Sequence, residues 1–104
     1  MTERSVIIVG AGLAGLAAGV HAQRNGYRTR IFERASQAGG VAVGWRRGPY
    51  HIDGGIHFLM GHRPGSPTHR IYEEVGAAGP GTTVDMTEYG RYVDERTGRS
   101  LRVT

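Results

Sequence analysis

Apolar positions in this chain gather in short clusters, and their spacing changes from one cluster to the next. Residues 5–9, Ser-Val-Ile-Ile-Val, are a β-branched run without polar alternation. Such a run predicts a strand covered on both faces, as in a parallel sheet. Gly10-Ala11-Gly12 ends it, and residues 13–25 then repeat at helical spacing, with Leu13, Leu16, Ala17 and Val20 as the apolar stripe. Gly15, Gly19 and Ala22 leave the other flank of that helix nearly bare of side chains. A glycine inside a helix costs about 1 kcal/mol relative to alanine, so Gly19 points to close packing against the sheet. Gly26 supplies a C-terminal stop. Residues 29–32 predict a second strand ending at Glu33. Two parallel strands joined by one helix make a right-handed βαβ crossover of roughly 30 residues.

Beyond Glu33 the pattern weakens. Residues 36–44 predict a loop dominated by Gly39-Gly40, and residues 41–45 and 50–52 two short strands around a turn at Arg47-Gly48-Pro49. Asp53-Gly54-Gly55 breaks the chain again, and residues 62–67 form a Pro- and Gly-rich loop. Thr68 is placed to cap a short helix through Val75. Residues 76–81 are a linker, and residues 84–103 predict a hairpin turning near Arg96-Thr97-Gly98. No internal repeat or low-complexity tract is present.

Composition narrows the classes. At 104 residues the chain is at most one domain. Absence of cysteine excludes disulfides and thiolate metal sites, and makes a cytoplasmic location the default expectation. All 13 basic residues are Arg, but they are scattered among acids without forming a stripe, so nucleic acid is not an expected partner. Residues 6–20 are almost wholly apolar and could pass for a secretory signal. Glu3 offsets the preceding Arg4, four glycines interrupt the run, and a membrane span needs about 20 apolar residues. Membrane association is otherwise left open.

Gly10-Ala11-Gly12-Leu13-Ala14-Gly15 reads G-x-G-x-x-G between a strand and a helix. Each glycine has its own physical role. Gly10 permits the tight turn, Gly12 lets backbone approach a pyrophosphate, and Gly15 lets helix and strands pack. The phosphates then meet free N–H groups and the positive end of the helix dipole. Glu33 lies 23 residues beyond Gly10, where a carboxylate accepts a hydrogen bond from a ribose 2′-hydroxyl and repels a 2′-phosphate. These features together point to the ADP half of a dinucleotide. His57, His62 and His69 match no metal-ligand spacing and no metal is expected. Asp53 is expected to serve a turn by bonding its own backbone.

The run Glu33-Arg34-Ala35-Ser36-Gln37-Ala38-Gly39-Gly40 resembles the extended FAD fingerprint of the flavin amine oxidase and phytoene desaturase superfamily. Residues 48–59, Gly-Pro-Tyr-His-Ile-Asp-Gly-Gly-Ile-His-Phe-Leu, are similar to a second glycine-containing segment of phytoene-dehydrogenase-like and retinol-saturase-like proteins. Ile71-Tyr72-Glu73-Glu74-Val75-Gly76 fits the helix that follows there, so the resemblance covers about residues 5 to 76.

The resemblance implies an α/β fold: a Rossmann-like FAD/NAD(P)-binding βαβ unit with short antiparallel strands and a C-terminal hairpin. Residues 1–104 would then be the N-terminal part of a FAD-binding domain. It further implies that Gly10, Gly12, Leu13, Ala14 and Gly15 hold the pyrophosphate and Glu33 the adenosine ribose, with Arg34 beside the adenine. Gly40 and Val41 would turn backbone N–H groups toward the phosphate or ribityl chain, and Gly55, Ile56 and His57 would pass near the flavin ring. Many members carry Arg where this chain has Val41, and Arg46 or Arg47 could replace that charge unless the pair is simply a solvated turn.

The activity implied is two-electron redox on an apolar or amine substrate, with FAD as cofactor and the catalytic residues unassigned. Two strands and one helix leave sheet edges open, so the catalytic unit needs more protein than this, from the same chain or a partner completing the sheet. A non-catalytic nucleotide-binding module working beside a partner chain is the alternative of a different class. An NAD-binding dehydrogenase portion is a third.

Overall fold

The computed structural model describes residues 4–56, 58–79, 81 and 83–104. It begins with strand β1 (Ser5–Val9), helix α1 (Leu13–Arg24) and strand β2 (Arg28–Phe32). β1 and β2 pair in parallel, from Ser5 opposite Arg28 to Val9 opposite Phe32, with α1 as the crossover. The helix runs one residue shorter than its spacing suggested, because Asn25 leaves helical geometry and Gly26 turns to φ +80°.

Helix α1 meets the sheet through glycine. Gly19 is buried, and a Cβ placed there would lie 3.0 Å from Ile31 Cδ1 and 3.5 Å from Ile8 Cδ1. Gly15, one turn earlier on the same flank, lies against Ile8 and the Gly10 carbonyl. The close packing expected of Gly19 is met, and the expected apolar stripe is corrected in part: Leu13 and Leu16 remain exposed, while Ala17 and Val20 are partly buried. The flank that comes closest to the strands is the one lacking side chains, so the leucines are turned to the side. Gly19→Ala is expected to unfold within about 1 kcal/mol of the parent in urea. Its new methyl needs only a few tenths of an ångström from the mobile end of Ile31, while alanine improves helix propensity by about the same amount.

The strands do not have both faces covered, as their β-branched run suggested. Val6, Ile8, Thr29 and Ile31 face α1 and are partly buried, while Ile7, Val9 and Phe32 on the opposite face are exposed. Among the described residues no other element packs there. A continuous apolar run records that both faces are suited to cover, and the described residues supply it for one.

The remaining elements are β3 (Gly44–Arg47), β4 (Tyr50–Asp53), α2 (Pro67–Glu74), β5 (Gly90–Val93) and β6 (Ser100–Val103). β3 starts later than expected, because residues 41 and 42 are taken up by the turn that follows Gly39-Gly40. β3 and β4 form a hairpin closed by Gly48-Pro49, and Gly48 at φ +58° provides the left-handed residue a two-residue loop needs. Helix α2 is capped by Ser66 and not by Thr68: the Ser66 hydroxyl accepts the His69 N–H at 3.1 Å, and Pro67 opens the helix. β5 and β6 form the expected hairpin, shorter than residues 84–103. Asp94 takes the Thr97 hydroxyl and the Arg96 N–H, and those bonds hold its carboxyl below the usual range.

The accessible surface is 9276 Å². A compact chain of this mass would expose about 5,700 Å². Large apolar side chains contribute to this exposure, Val9, Val41, Met60, Tyr92 and Leu101 among them. Among the described residues the packed core is confined to the βαβ unit, and Ala11 is its one buried apolar residue.

Candidate nucleotide-binding site

The turn between β1 and α1 is built by three glycines with different backbones. Gly10 sits at φ +97°, which only glycine adopts readily, and its N–H donates to the Phe32 carbonyl at 2.7 Å. Gly12 is the N-cap of α1 in extended geometry (φ −73°, ψ 178°), and its carbonyl accepts the Leu16 N–H. No side chain caps this helix and no acid lies in its first turn. The N–H groups of Leu13, Ala14 and Gly15 thus point out of the helix end without an intrahelical acceptor, and the dipole adds partial positive charge there.

Glu33 follows directly on β2 and lies beside this turn. Its carboxylate accepts the Ala11 N–H at 2.7 Å through Oε2 and the Ala35 N–H at 2.8 Å through Oε1. The Ala35 and Ala11 amides, with Arg34 adding to them, hold the Glu33 carboxyl below its ordinary value of 4.5. A depressed carboxyl contributes stability above its unfolded value and loses it as pH falls through the folded one. The stability difference between the parent and Glu33→Gln is therefore expected to be constant at neutral pH and to shrink only below 4.5. Paired urea titrations down to about pH 3 check this, and a difference that does not change with pH would contradict it.

Gly39-Gly40 closes on the same turn. The Gly39 N–H donates to the Ala11 carbonyl at 2.7 Å, and Gly12 and Gly39 form an isolated parallel bridge. Gly40, at φ +63°, passes so near Gly12 that a Cβ on it would be 3.0 Å from the Gly12 Cα. Next in line, Val41 approaches Gly55, where a Cβ would overlap the Val41 carbonyl. The three glycine segments therefore neighbour one another in series. Ile56 follows on and is half exposed, and His57 lies outside the described residues.

Arg34 is exposed, and Val41 is more than four-fifths exposed. Arg46 and Arg47 lie exposed near the closed end of the β3–β4 hairpin. Among the described residues, Asp53 makes no turn bond to its own backbone, and its carboxylate stands 3.4 Å from His51 Nε2.

Two participants, Ala11 and Trp45, carry no clear mark in the sequence, and a third, Gly39, is marked only as one of a glycine pair. Ala11 gives up both main-chain groups to the 33–40 segment, a role that an alanine between two glycines does not advertise. The resemblance singles out Gly40, whereas Gly39 makes the bond to Ala11. Trp45, the single tryptophan, shares with Glu33, Gln37 and Gly40 the wall of a cleft of about 200 Å³. A larger cleft of about 650 Å³ lies between residues 58–63 and 83–86, with Ile56 and Tyr89 also on its wall, and there His62 bridges the Leu59 carbonyl and Asp85. None of the turn residues lines it, so size does not decide the site here.

The family model of the NAD(P)-binding Rossmann-like domain matches residues 8–75. This chain belongs to that family. The Rossmann-like domain is 38% identical over 73 residues to a 1-hydroxycarotenoid 3,4-desaturase of a Flavobacterium species, covering 69% of this chain and 15% of that protein. It is 44% identical over 43 residues to the flavin-containing monooxygenase FMO GS-OX-like 6 of Arabidopsis thaliana, covering 41% of this chain and 9% of that one. Among solved structures, an oxidoreductase from Methanosarcina mazei superposes with a TM-score of 0.59 at 26% identity, over 71% of this chain and 18% of that one. The likeness to phytoene-desaturase-type oxidoreductases read over about residues 5 to 76 thus holds. The Rossmann-like domain spans less than a fifth of the length of each of these relatives. Among the described residues, no helix is long and apolar enough to cross a membrane.

Proposed function

We propose that residues 1–104 are one portion of a FAD-binding domain, holding the ADP half of FAD in an oxidoreductase of the phytoene desaturase type. The observation that carries this reading is the uncapped first turn of α1, flanked by glycine backbone and by the Glu33 carboxylate. Gly12, Leu13, Ala14 and Gly15 would give N–H groups to the pyrophosphate. Glu33 would accept from the ribose hydroxyls, and its negative charge disfavours a 2′-phosphate. Gly40, Val41 and Gly55 follow in an unbroken series of close backbone approaches, which suits a cofactor extended past the pyrophosphate. Ile56, His57 and Arg34 belong to the same reading through the resemblance.

FAD held there would supply two-electron hydride chemistry, and the protein would supply orientation and exclusion of water. The carotenoid desaturase among the relatives favours an apolar substrate over an amine. The family description, NAD(P)-binding, favours a nicotinamide dinucleotide on the same turn as the second reading. Mass spectrometry of the nucleotide released from the purified full-length protein separates the two. FAD, with absorbance near roughly 450 nm before release, is the expected result. Release of NAD or NADP without flavin, or of no nucleotide, would overturn the assignment.

A further inference from the structure

Glu33 and Gly39 grip Ala11 from opposite sides. The Ala11 N–H goes to the Glu33 carboxylate at 2.7 Å and the Ala11 carbonyl takes the Gly39 N–H at 2.7 Å. Ala11 is 5% exposed, at the apex of the turn, so neither of its main-chain groups has water as a ready alternative partner. Both partners lie within seven residues of each other and are joined by a loop. That loop is itself tied down: the second Glu33 oxygen takes the Ala35 N–H, and the Gln37 amide donates to the Gly44 carbonyl at 3.2 Å. Gly10 is fixed separately by its bond to Phe32.

We infer that residues 33–40 act as a clamp that sets the shape of the nucleotide turn before any ligand arrives, with Glu33 as its positioning residue. The inference rests on the nucleotide-binding reading above, and it gives the acid a second role. A carboxylate that only met the ribose would have no need to commit an oxygen to Ala11. With the clamp in place, the helix-end N–H groups stand ready, and binding does not have to order them at a cost in affinity. Without it, the Ala11 N–H loses its acceptor and the turn relaxes, so phosphate binding weakens even where no ribose hydroxyl is present.

The test has two arms on the full-length protein and uses Glu33→Ala and Glu33→Gln. In the ligand-free protein, amide hydrogen exchange of the 9–13 segment is expected to speed up about tenfold or more in Glu33→Ala and less in Glu33→Gln, which keeps one acceptor oxygen. In the second arm, the Kd of ADP is compared with that of 2′,3′-dideoxy-ADP, using protein stripped of cofactor. Glu33→Ala is expected to weaken both ligands, the dideoxy compound by several-fold, with partial rescue in Glu33→Gln. Unchanged exchange, or a loss confined to ADP, would overturn the clamp. Should the parent bind neither nucleotide, the nucleotide reading falls, while the exchange arm still decides whether the clamp exists.

Discussion

Gly12→Val abolishes cofactor retention in the expected result, while leaving the fold intact. The glycine there is not required by backbone geometry, since φ −73° and ψ 178° suit any residue. Nor does the protein itself crowd a Cβ at the position, which would meet only the Gly40 Cα at 3.9 Å, an ordinary contact. What excludes a side chain at Gly12 is the space above the turn, where the pyrophosphate would approach the α1 N–H groups. A branched side chain in that space is expected to weaken binding at least about a hundredfold, or roughly 2.7 kcal/mol. Cofactor occupancy after purification and the thermal midpoint of the apoprotein report the two effects separately. Full occupancy in the variant would show that no phosphate sits at this backbone.

Gly15→Ala, three residues later, is expected to act through the opposite route and to damage the fold first. Here the Cβ would overlap the Gly10 carbonyl oxygen and come within 3.3 Å of Ile8 Cγ2. The carbonyl cannot step aside cheaply, because Gly10 is held by its N–H bond to Phe32 and by a φ open to glycine alone. Overpacking of this kind costs about 1–3 kcal/mol and occasionally more. Gly19→Ala adds the same methyl one turn on, against the flexible end of Ile31, so the pair separates backbone collision from side-chain adjustment. Equal stability of Gly15→Ala and the parent in urea would contradict the packing described.

The βαβ unit is legible in the sequence because each of its signals is local. β-Branched residues 6–9, the glycine spacing at 10, 12 and 15, and Glu33 at the end of the next strand all act within one crossover. The helix face departs from its hydrophobic pattern for a reason of the same kind. Hydrophobic periodicity assumes that the larger side chains face the core, whereas at Gly15 and Gly19 the closeness of the sheet selects the residues that have none. The cap of α2 goes to Ser66 because Pro67, fit for the first helical turn, fixes where the helix starts. Residues 56–63 and 83–89 carry no such local pattern. The His62–Asp85 pairing joins positions 23 apart and is set by tertiary placement alone.

Within the site, residue types mark the open backbone and the acid, but not who holds whom. The motif implies Glu33 for the ribose, and the structure sets its carboxylate against Ala11 and Ala35. Gly39-Gly40 stands out as a pair, yet only the fold distinguishes the glycine that donates to Ala11 from the one that lies against Gly12. Hydrogen-bond partners of the main chain are not written in residue types.

One comparison tests the central claim most directly: the affinities of ADP and its 2′-phosphorylated analogue for the cofactor-free full-length protein, measured side by side by calorimetry. Helix-end N–H groups for two phosphates, with an acid beside the sugar, require ADP to bind tighter by about tenfold or more. Equal affinities, or preference for the 2′-phosphate, would contradict it.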